Sequence, residues 1–123
     1  MKEKMNMIRV YCYAKCSTCN KALKWLDSNG IKYESLDIKA QHPDKKTVRD
    51  LNDRSGLPLK KFFNTSGKLY REMELSKRLP SMSDDEILDL LASDGMLVKR
   101  PLLVTDNVVL VGFREDAWKE ALL

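Results

Sequence analysis

Three cysteines lie close together near the start of the chain, and two of them form the motif Cys16-Ser17-Thr18-Cys19. The motif follows an apolar run and precedes a stretch with helical periodicity that begins at Ala22, so we expect strand, loop and helix start in that order. A cysteine at a helix N-terminus lies beside backbone N–H groups and the positive end of the helix dipole, which stabilise a thiolate. Because the thiolate is the species that attacks disulfides, the motif predicts redox or nucleophilic thiol chemistry.

Other roles for two closely spaced cysteines fit this sequence less well. A structural zinc ion needs four ligands, and the remaining cysteine and histidine are Cys12 and His42. Cys12 alternates with aromatic residues in the first predicted strand, so its expected role is packing, and His42 is expected in a loop. A structural disulfide is disfavoured because so short a loop gains little from closure and the cysteine count is odd. Inert buried thiols are the remaining alternative.

The composition indicates one soluble domain of 123 residues, with 33% charged and 43% hydrophobic residues. No apolar stretch approaches the ~20 residues of a membrane span, and the N-terminus lacks the apolar region of a secretory signal. We therefore expect a cytoplasmic monomer that does not contact membranes. The net charge is +4 and the pI is near 9.0, but basic residues are mixed with acidic ones. This predicts no direct nucleic-acid contact and favours anionic small substrates or an acidic protein partner.

The first part of the chain reads as a β-α-β unit. Strands are predicted over residues 8–13 and 31–38, and the helix between them has Ser17 as its N-cap candidate and a stop signal at Asn29-Gly30. Two strands joined by a helix are expected to be parallel, with a right-handed crossover.

The middle of the chain is predicted to be helical. Pro43-Asp44 opens a helix that Ser55-Gly56 closes, and Ser83 with Glu86 forms a capping box at the start of a later one. The final segment then supplies two more strands joined by a tight turn at Asp106-Asn107, which predicts an antiparallel hairpin, and a last helix.

This order predicts an α/β, thioredoxin-like fold in a single domain over residues 1–123. It has a small mixed four-stranded sheet and a helical insertion between strands 2 and 3. In that plan Pro101 lies opposite the cysteine motif, at the start of the third strand. Although trans is the common isomer of a bond that precedes proline, the fold context favours a cis Arg100-Pro101 bond. A cis bond there would leave neighbouring backbone groups available to an incoming substrate chain.

Taken together, these segments resemble the ArsC/Spx family of thioredoxin-fold proteins. The resemblance covers nearly the whole chain from about residue 8 onward and is carried by four segments. These are the cysteine motif with residues 22–26, residues 56–67 with their Asn-Thr-Ser-Gly turn, residues 99–104 with Arg-Pro, and residues 110–113 with Val-Gly-Phe.

The resemblance implies two different functions. Family arsenate reductases use a cysteine at the position of Cys16 as nucleophile on arsenate, surround the oxyanion with three arginines, and complete the cycle with glutathione and glutaredoxin. Cys16 and Arg100 match that pattern, whereas Asn64 and Gly112 stand where the other two arginines are expected. Spx-type regulators carry a C-x-x-C redox switch and bind the α subunit of RNA polymerase. Gly56 resembles their polymerase-contact glycine, but an ordinary helix C-cap after Ser55 is the favoured explanation of this residue.

We therefore predict a thiol-dependent oxidoreductase that acts on a small oxidised substrate or disulfide, with Cys16 as nucleophile and Cys19 as resolving thiol. No metal and no tightly bound cofactor is expected, and glutathione with glutaredoxin, or thioredoxin, would restore the thiols. The alternative is an Spx-like redox-sensing regulator that binds the RNA polymerase α subunit. The residues predicted to bind substrate are Lys15, Ser17, Thr18, Arg100 and Pro101.

Overall fold

The computed structural model describes residues 7–123 and divides them into two units. The first unit contains residues 7–37 and 100–123, and the second contains Ile38–Lys99. The second unit is the helical insertion predicted between the second and third strands. Among the described residues, no helix combines the length and the apolar character that crossing a membrane requires.

The first unit is built on a four-stranded mixed sheet of β1 (Arg9–Cys12), β2 (Glu34–Asp37), β3 (Leu102–Val104) and β4 (Val109–Val111). The strands lie in the order β2-β1-β3-β4. β1 pairs in parallel with β2, while β1–β3 and β3–β4 are antiparallel. The predicted parallel pair and hairpin are therefore confirmed, and so is the thioredoxin-like fold class.

Two helices belong to this unit, α1 (Ser17–Ser28) and α6 (Glu115–Leu122). The expectation that Ser17 caps α1 is wrong: Cys16 has the extended backbone of the N-cap residue, and Ser17 is the first helical residue. The predicted stop is confirmed, because Gly30 has a φ of +67° directly after the C-cap residue Asn29. The N–H of Ile31 donates to Leu26 at 3.0 Å and completes the helix end, which explains why β2 starts later than predicted.

The core of the first unit joins the sheet to both helices. Trp118 of α6 is buried, and its indole N–H donates to the carbonyl of Gly112 at 3.1 Å. Trp25 and Phe113 both pack edge-on against this indole, and their two rings are tilted against each other. The buried residues of this core are Val10, Cys12, Cys19, Ala22, Leu26, Leu103 and Trp118.

The second unit consists of short helices whose ends follow the sequence signals. The side chain of Asp44 caps α2 (Lys45–Ser55) by accepting from the N–H of Thr47 at 2.8 Å, and Gly56 ends this helix with a φ of +71°. Ser83 and Glu86 form the predicted capping box. The helices are α2 (Lys45–Ser55), α3 (Lys68–Glu72), α4 (Leu75–Arg78) and α5 (Asp84–Ser93), with 3-10 turns at Leu59–Phe62, Leu79–Ser81 and Gly95–Leu97.

Candidate functional site

Cys16 occupies the N-cap position of α1, just beyond the carboxyl end of β1. Its N–H donates to the carbonyl of Tyr13 at 2.9 Å, and its own carbonyl accepts from Asn20 at 3.1 Å. These bonds fix the backbone on both sides of the thiol, which is partly exposed. No acidic residue lies in the first turn of α1, so nothing there offsets the positive end of the helix dipole.

Cys19 lies one turn further along α1 and is fully buried. Its sulfur accepts the backbone N–H of Tyr13 at 3.4 Å. The hydrogen bond from the Cys12 thiol is the largest cause that lowers the pKa of Cys19, to about 6. Burial acts in the opposite direction, while the Tyr13 N–H, the Cys16 thiol and the charge of Arg100 lower the pKa further. The sequence predicts a stabilised thiolate at Cys16, so the lowered pKa of Cys19 becomes visible only in the structure.

Cys12 ends β1 and is buried, with 6% of its surface exposed. This agrees with its predicted packing role, because it lies in the buried cluster that also contains Cys19. Its interaction with the Cys19 thiol, followed by burial, raises the pKa of Cys12 far above its ordinary value, so Cys12 is a protonated thiol at neutral pH.

Arg100 places a cation near the buried sulfur. Its guanidinium lies over the ring of Tyr13, 5.2 Å from the ring centroid, and its charge contributes to the electrostatics of Cys19. The Arg100–Pro101 peptide bond is cis, as predicted. Pro101 is buried, and its carbonyl accepts the N–H of Gly112 at 2.8 Å.

The ArsC family model matches residues 11–121. The chain belongs to the ArsC family. YusI of Bacillus subtilis, an uncharacterized protein, is 53% identical over 110 residues, which are 89% of this chain and 93% of YusI. The global transcriptional regulator Spx 1 of Lactococcus lactis is 24% identical over 110 residues, which are 89% of this chain and 84% of the regulator.

Solved structures of similar proteins share the fold of this ArsC-family chain. A crystal structure of an ArsC family related protein from Bacteroides fragilis has a TM-score of 0.90 and 47% identity, covering 92% of this chain and 95% of that one. A protein from Streptococcus mutans, described as a possible arsenate reductase, has a TM-score of 0.84 and 44% identity, covering 93% and 98%. The resemblance to the ArsC/Spx family is therefore confirmed.

The two positions at which family arginines were expected have local structural roles in this ArsC-family protein. Gly112 has a φ of +78°, and both its N–H and its carbonyl are hydrogen-bonded within the first unit. Asn64 starts a turn in the second unit, where its N–H donates to Leu97 at 2.8 Å and its carbonyl accepts from Gly67 at 3.0 Å. A glycine and a turn-forming asparagine do not supply the guanidinium groups that suit a tetrahedral oxyanion.

The other predicted binding residues lie around the motif. Lys15, Ser17 and Thr18 are exposed neighbours of Cys16, in reach of a solute that approaches the thiol. Within residues 7–123, no three His, Cys, Asp or Glu side chains are arranged to hold a metal ion.

The sequence did not indicate that Tyr13 belongs to this site. Its backbone N–H donates to the Cys19 sulfur and its ring lies beneath the Arg100 guanidinium. Both contacts depend on how distant segments pack, so the sequence carried no local signal for them.

Proposed function

We propose that this ArsC-family protein is a thiol-dependent oxidoreductase in which Cys16 is the nucleophile and Cys19 the resolving thiol. The observation that carries the proposal is the contrast between the two sulfurs. Cys16 is partly exposed at a helix N-cap, whereas Cys19 is buried one turn later and accepts hydrogen bonds that favour its thiolate. A substrate can therefore reach the Cys16 sulfur, while the Cys19 sulfur stays buried until it attacks the mixed disulfide.

The cycle balances without a cofactor. The Cys16 thiolate attacks one sulfur of a disulfide, the substrate S–S bond breaks, and one thiolate leaves. The Cys19 thiolate then attacks the Cys16 sulfur, which forms the Cys16–Cys19 disulfide and releases the second thiolate. The substrate gains two electrons and the motif loses two. Thioredoxin, or glutathione with glutaredoxin, would return them in a reducing compartment such as the cytoplasm.

The surroundings of the thiols favour an anionic substrate. Lys15 and Arg100 provide positive charge, and the exposed Ser17 and Thr18 offer hydrogen-bond donors beside Cys16. The backbone next to Pro101 would border the same substrate. Because Asn64 and Gly112 replace the two further arginines, an anionic disulfide suits this site better than arsenate.

A coupled turnover assay tests the proposal. The wild-type protein, Cys16→Ser and Cys19→Ser are given a glutathione-containing mixed disulfide, with NADPH oxidation coupled to the glutathione or the thioredoxin system. We expect turnover in the wild type and none in Cys16→Ser. Full activity in Cys16→Ser would remove this cysteine from the mechanism. A parallel arm with arsenate in place of the disulfide should give no turnover above background.

The similarity to Spx 1 supports a second candidate, a redox-sensing regulator that binds the RNA polymerase α subunit. It extends over 84% of that regulator, and Gly56 lies at the helix end where the resemblance placed a polymerase contact. Pull-down with purified α subunit tests it, comparing Gly56→Arg with Gly30→Arg. Both glycines are exposed, have positive φ, and have open space at the Cβ position. Binding that Gly56→Arg alone abolishes would support the regulator, whereas no binding by the wild type would reject it.

A further inference from the structure

Tyr13 lies directly after β1 and contacts both sulfur-bearing residues of the proposed cycle and the cation beside them. Its backbone N–H donates to the Cys19 sulfur at 3.4 Å, and its carbonyl accepts the N–H of Cys16 at 2.9 Å. Its ring lies beneath the Arg100 guanidinium, whose central carbon is 5.2 Å from the ring centroid. Any residue except proline could make the two backbone contacts, whereas the contact with the cation requires an aromatic face.

The backbone that carries this ring is held by further hydrogen bonds to α1. The side-chain amide of Asn20 donates to the carbonyl of Ala14 at 3.2 Å, and the backbone N–H of Asn20 donates to the carbonyl of Cys16 at 3.1 Å. Together with the two backbone bonds of Tyr13, these bonds tie the segment between β1 and α1 to the start of the helix. The Tyr13 ring is therefore attached to a fixed piece of backbone.

The pairing of β1 with β3 explains why Arg100 meets this ring. Tyr11 lies opposite Leu102 in the antiparallel register, and continuing that register by two residues places Tyr13 opposite Arg100. Side chains two positions apart on a strand share a face, and residues opposite each other on one face are close enough to interact. Both Tyr13 and Arg100 are half-buried, so the guanidinium stays accessible to a solute.

We propose that Tyr13 is a positioning residue that holds the Arg100 guanidinium beside the thiols and thereby sets the preference of the site for anionic disulfides. This inference rests on the proposed function and adds a specificity-determining residue to it. A free arginine side chain samples many rotamers, and stacking on a ring reduces the positions that its charge occupies. The charge is then already in place when an anionic substrate reaches Cys16.

The ring face and the apolar bulk of Tyr13 can be separated by substitution. Tyr13→Leu keeps apolar bulk without a ring, and Tyr13→Phe keeps the ring without the hydroxyl. Each variant is mixed in a stopped-flow instrument with excess dithiobis(nitrobenzoate), which carries two carboxylates, or with the neutral dithiodipyridine. In both reactions the Cys16 thiolate bonds to one sulfur of the reagent, the S–S bond of the reagent breaks, and one coloured thiolate leaves.

The ratio of the two first-release rates measures the preference for the anionic reagent, and it cancels a general change in the reactivity of Cys16. We expect Tyr13→Leu to lower this ratio about threefold and Tyr13→Phe to keep it within about 1.5-fold of wild type. In an Arg100→Gln background, Tyr13→Leu should lower the ratio no further, because its effect passes through the guanidinium. If a circular dichroism melt shows that Tyr13→Leu does not fold, Tyr13→Met supplies the side chain without a ring.

Three results would overturn the inference while leaving the proposed function in place. They are an unchanged ratio in Tyr13→Leu, a loss of the same size in Tyr13→Phe, and a threefold loss that persists in the Arg100→Gln background. Failure of the proposed function gives a different result: Cys16→Ser would react with both reagents as fast as the wild type, which would show that Cys16 is not the nucleophile.

Discussion

The guanidinium of Arg100 lies over the ring of Tyr13, 5.2 Å from its centroid. The backbone of the same tyrosine donates a hydrogen bond to the sulfur of Cys19. One residue after β1 therefore contacts both the cation and the buried sulfur of the site. The contact also restricts where the cation lies, since it stacks on an aromatic face and remains partly buried.

The position of Arg100 predicts selectivity for charge. Arg100→Gln should slow the attack of Cys16 on the dianionic dithiobis(nitrobenzoate) about fivefold, and attack on the neutral hydroxyethyl disulfide by less than twofold. Stopped-flow rates with the two reagents measure the ratio. Lys24→Gln removes an exposed cation from α1 and serves as the control. Equal slowing with both reagents in Arg100→Gln would show that the charge does not act on the substrate.

The lowered pKa of Cys19 predicts how the resolving step depends on pH. When one equivalent of dithiobis(nitrobenzoate) reacts with the protein, Cys16 releases the first thionitrobenzoate and Cys19 releases the second one as it forms the disulfide. Because the thiolate attacks, the rate of the second release should rise with pH through a midpoint near 6 and level off above it. A profile from pH 4 to 9 gives the midpoint directly. A midpoint close to the ordinary thiol value of 9.0 would contradict the hydrogen-bonding account of Cys19.

An ion-pair network between α2 and α5 predicts a pH-dependent part of the stability. Lys45 contacts Asp85 at 2.8 Å and Asp89 at 2.9 Å, and the hydrogen bond with Lys45 is the main cause that lowers the pKa of Asp85. A carboxylate whose pKa is lowered in the folded state contributes stability above its unfolded pKa of 3.8. That contribution is lost as the pH falls through the pKa of the folded state.

Asp85→Asn should therefore lower the urea midpoint slightly at pH 7 and have no effect at low pH, where Asp85 is protonated. The effect is small because both carboxylates are exposed and Lys45 is only half-buried. Asp53→Asn, at an exposed position of α2, is the control. An equal difference between Asp85→Asn and wild type at pH 7 and at pH 2.5 would contradict the assignment.

Gly95 predicts a packing constraint inside the helical insertion. A Cβ atom there would overlap the backbone carbonyl of Ile38 and press on the side chain of His42. Gly95→Ala should lower the free energy of unfolding by about 1–3 kcal/mol, by the cost of overpacking. Gly56→Ala, where a Cβ meets open space but φ is +71°, should cost about 1–2 kcal/mol. Urea unfolding that finds Gly95→Ala no less stable than wild type would contradict this.

Local rules predicted most of the fold because the signals and the structure agree residue by residue. Gly56 ends α2, and the Ser83–Glu86 capping box starts α5, as expected from these residue types. The Ser17 expectation failed because cysteine is not a preferred cap, yet here the backbone turns at Cys16. The end of α1 includes a hydrogen bond from the N–H of Ile31, and β2 therefore starts at Glu34 rather than at residue 31 as predicted.

The site was less predictable than the fold. The sequence placed Cys16 and Cys19 correctly at a helix start, but it gave no indication that Tyr13 links Arg100 to Cys19. That contact joins residues far apart in the chain and depends on how β3 pairs with β1, which spacing alone does not encode. The burial of Cys12 and Cys19 in one cluster likewise depends on how β1 packs against α1.

Trapping of the mixed disulfide shows which cysteine attacks and which one resolves. Cys19→Ser is reacted with glutathione disulfide, digested without reductant, and mapped by mass spectrometry, with Cys16→Ser as the matched control. We expect a stable glutathione adduct on Cys16 in Cys19→Ser and no comparable adduct in Cys16→Ser. An adduct on Cys12 in Cys19→Ser, or one on Cys19 in Cys16→Ser formed at the same rate, would contradict the proposed roles of Cys16 and Cys19.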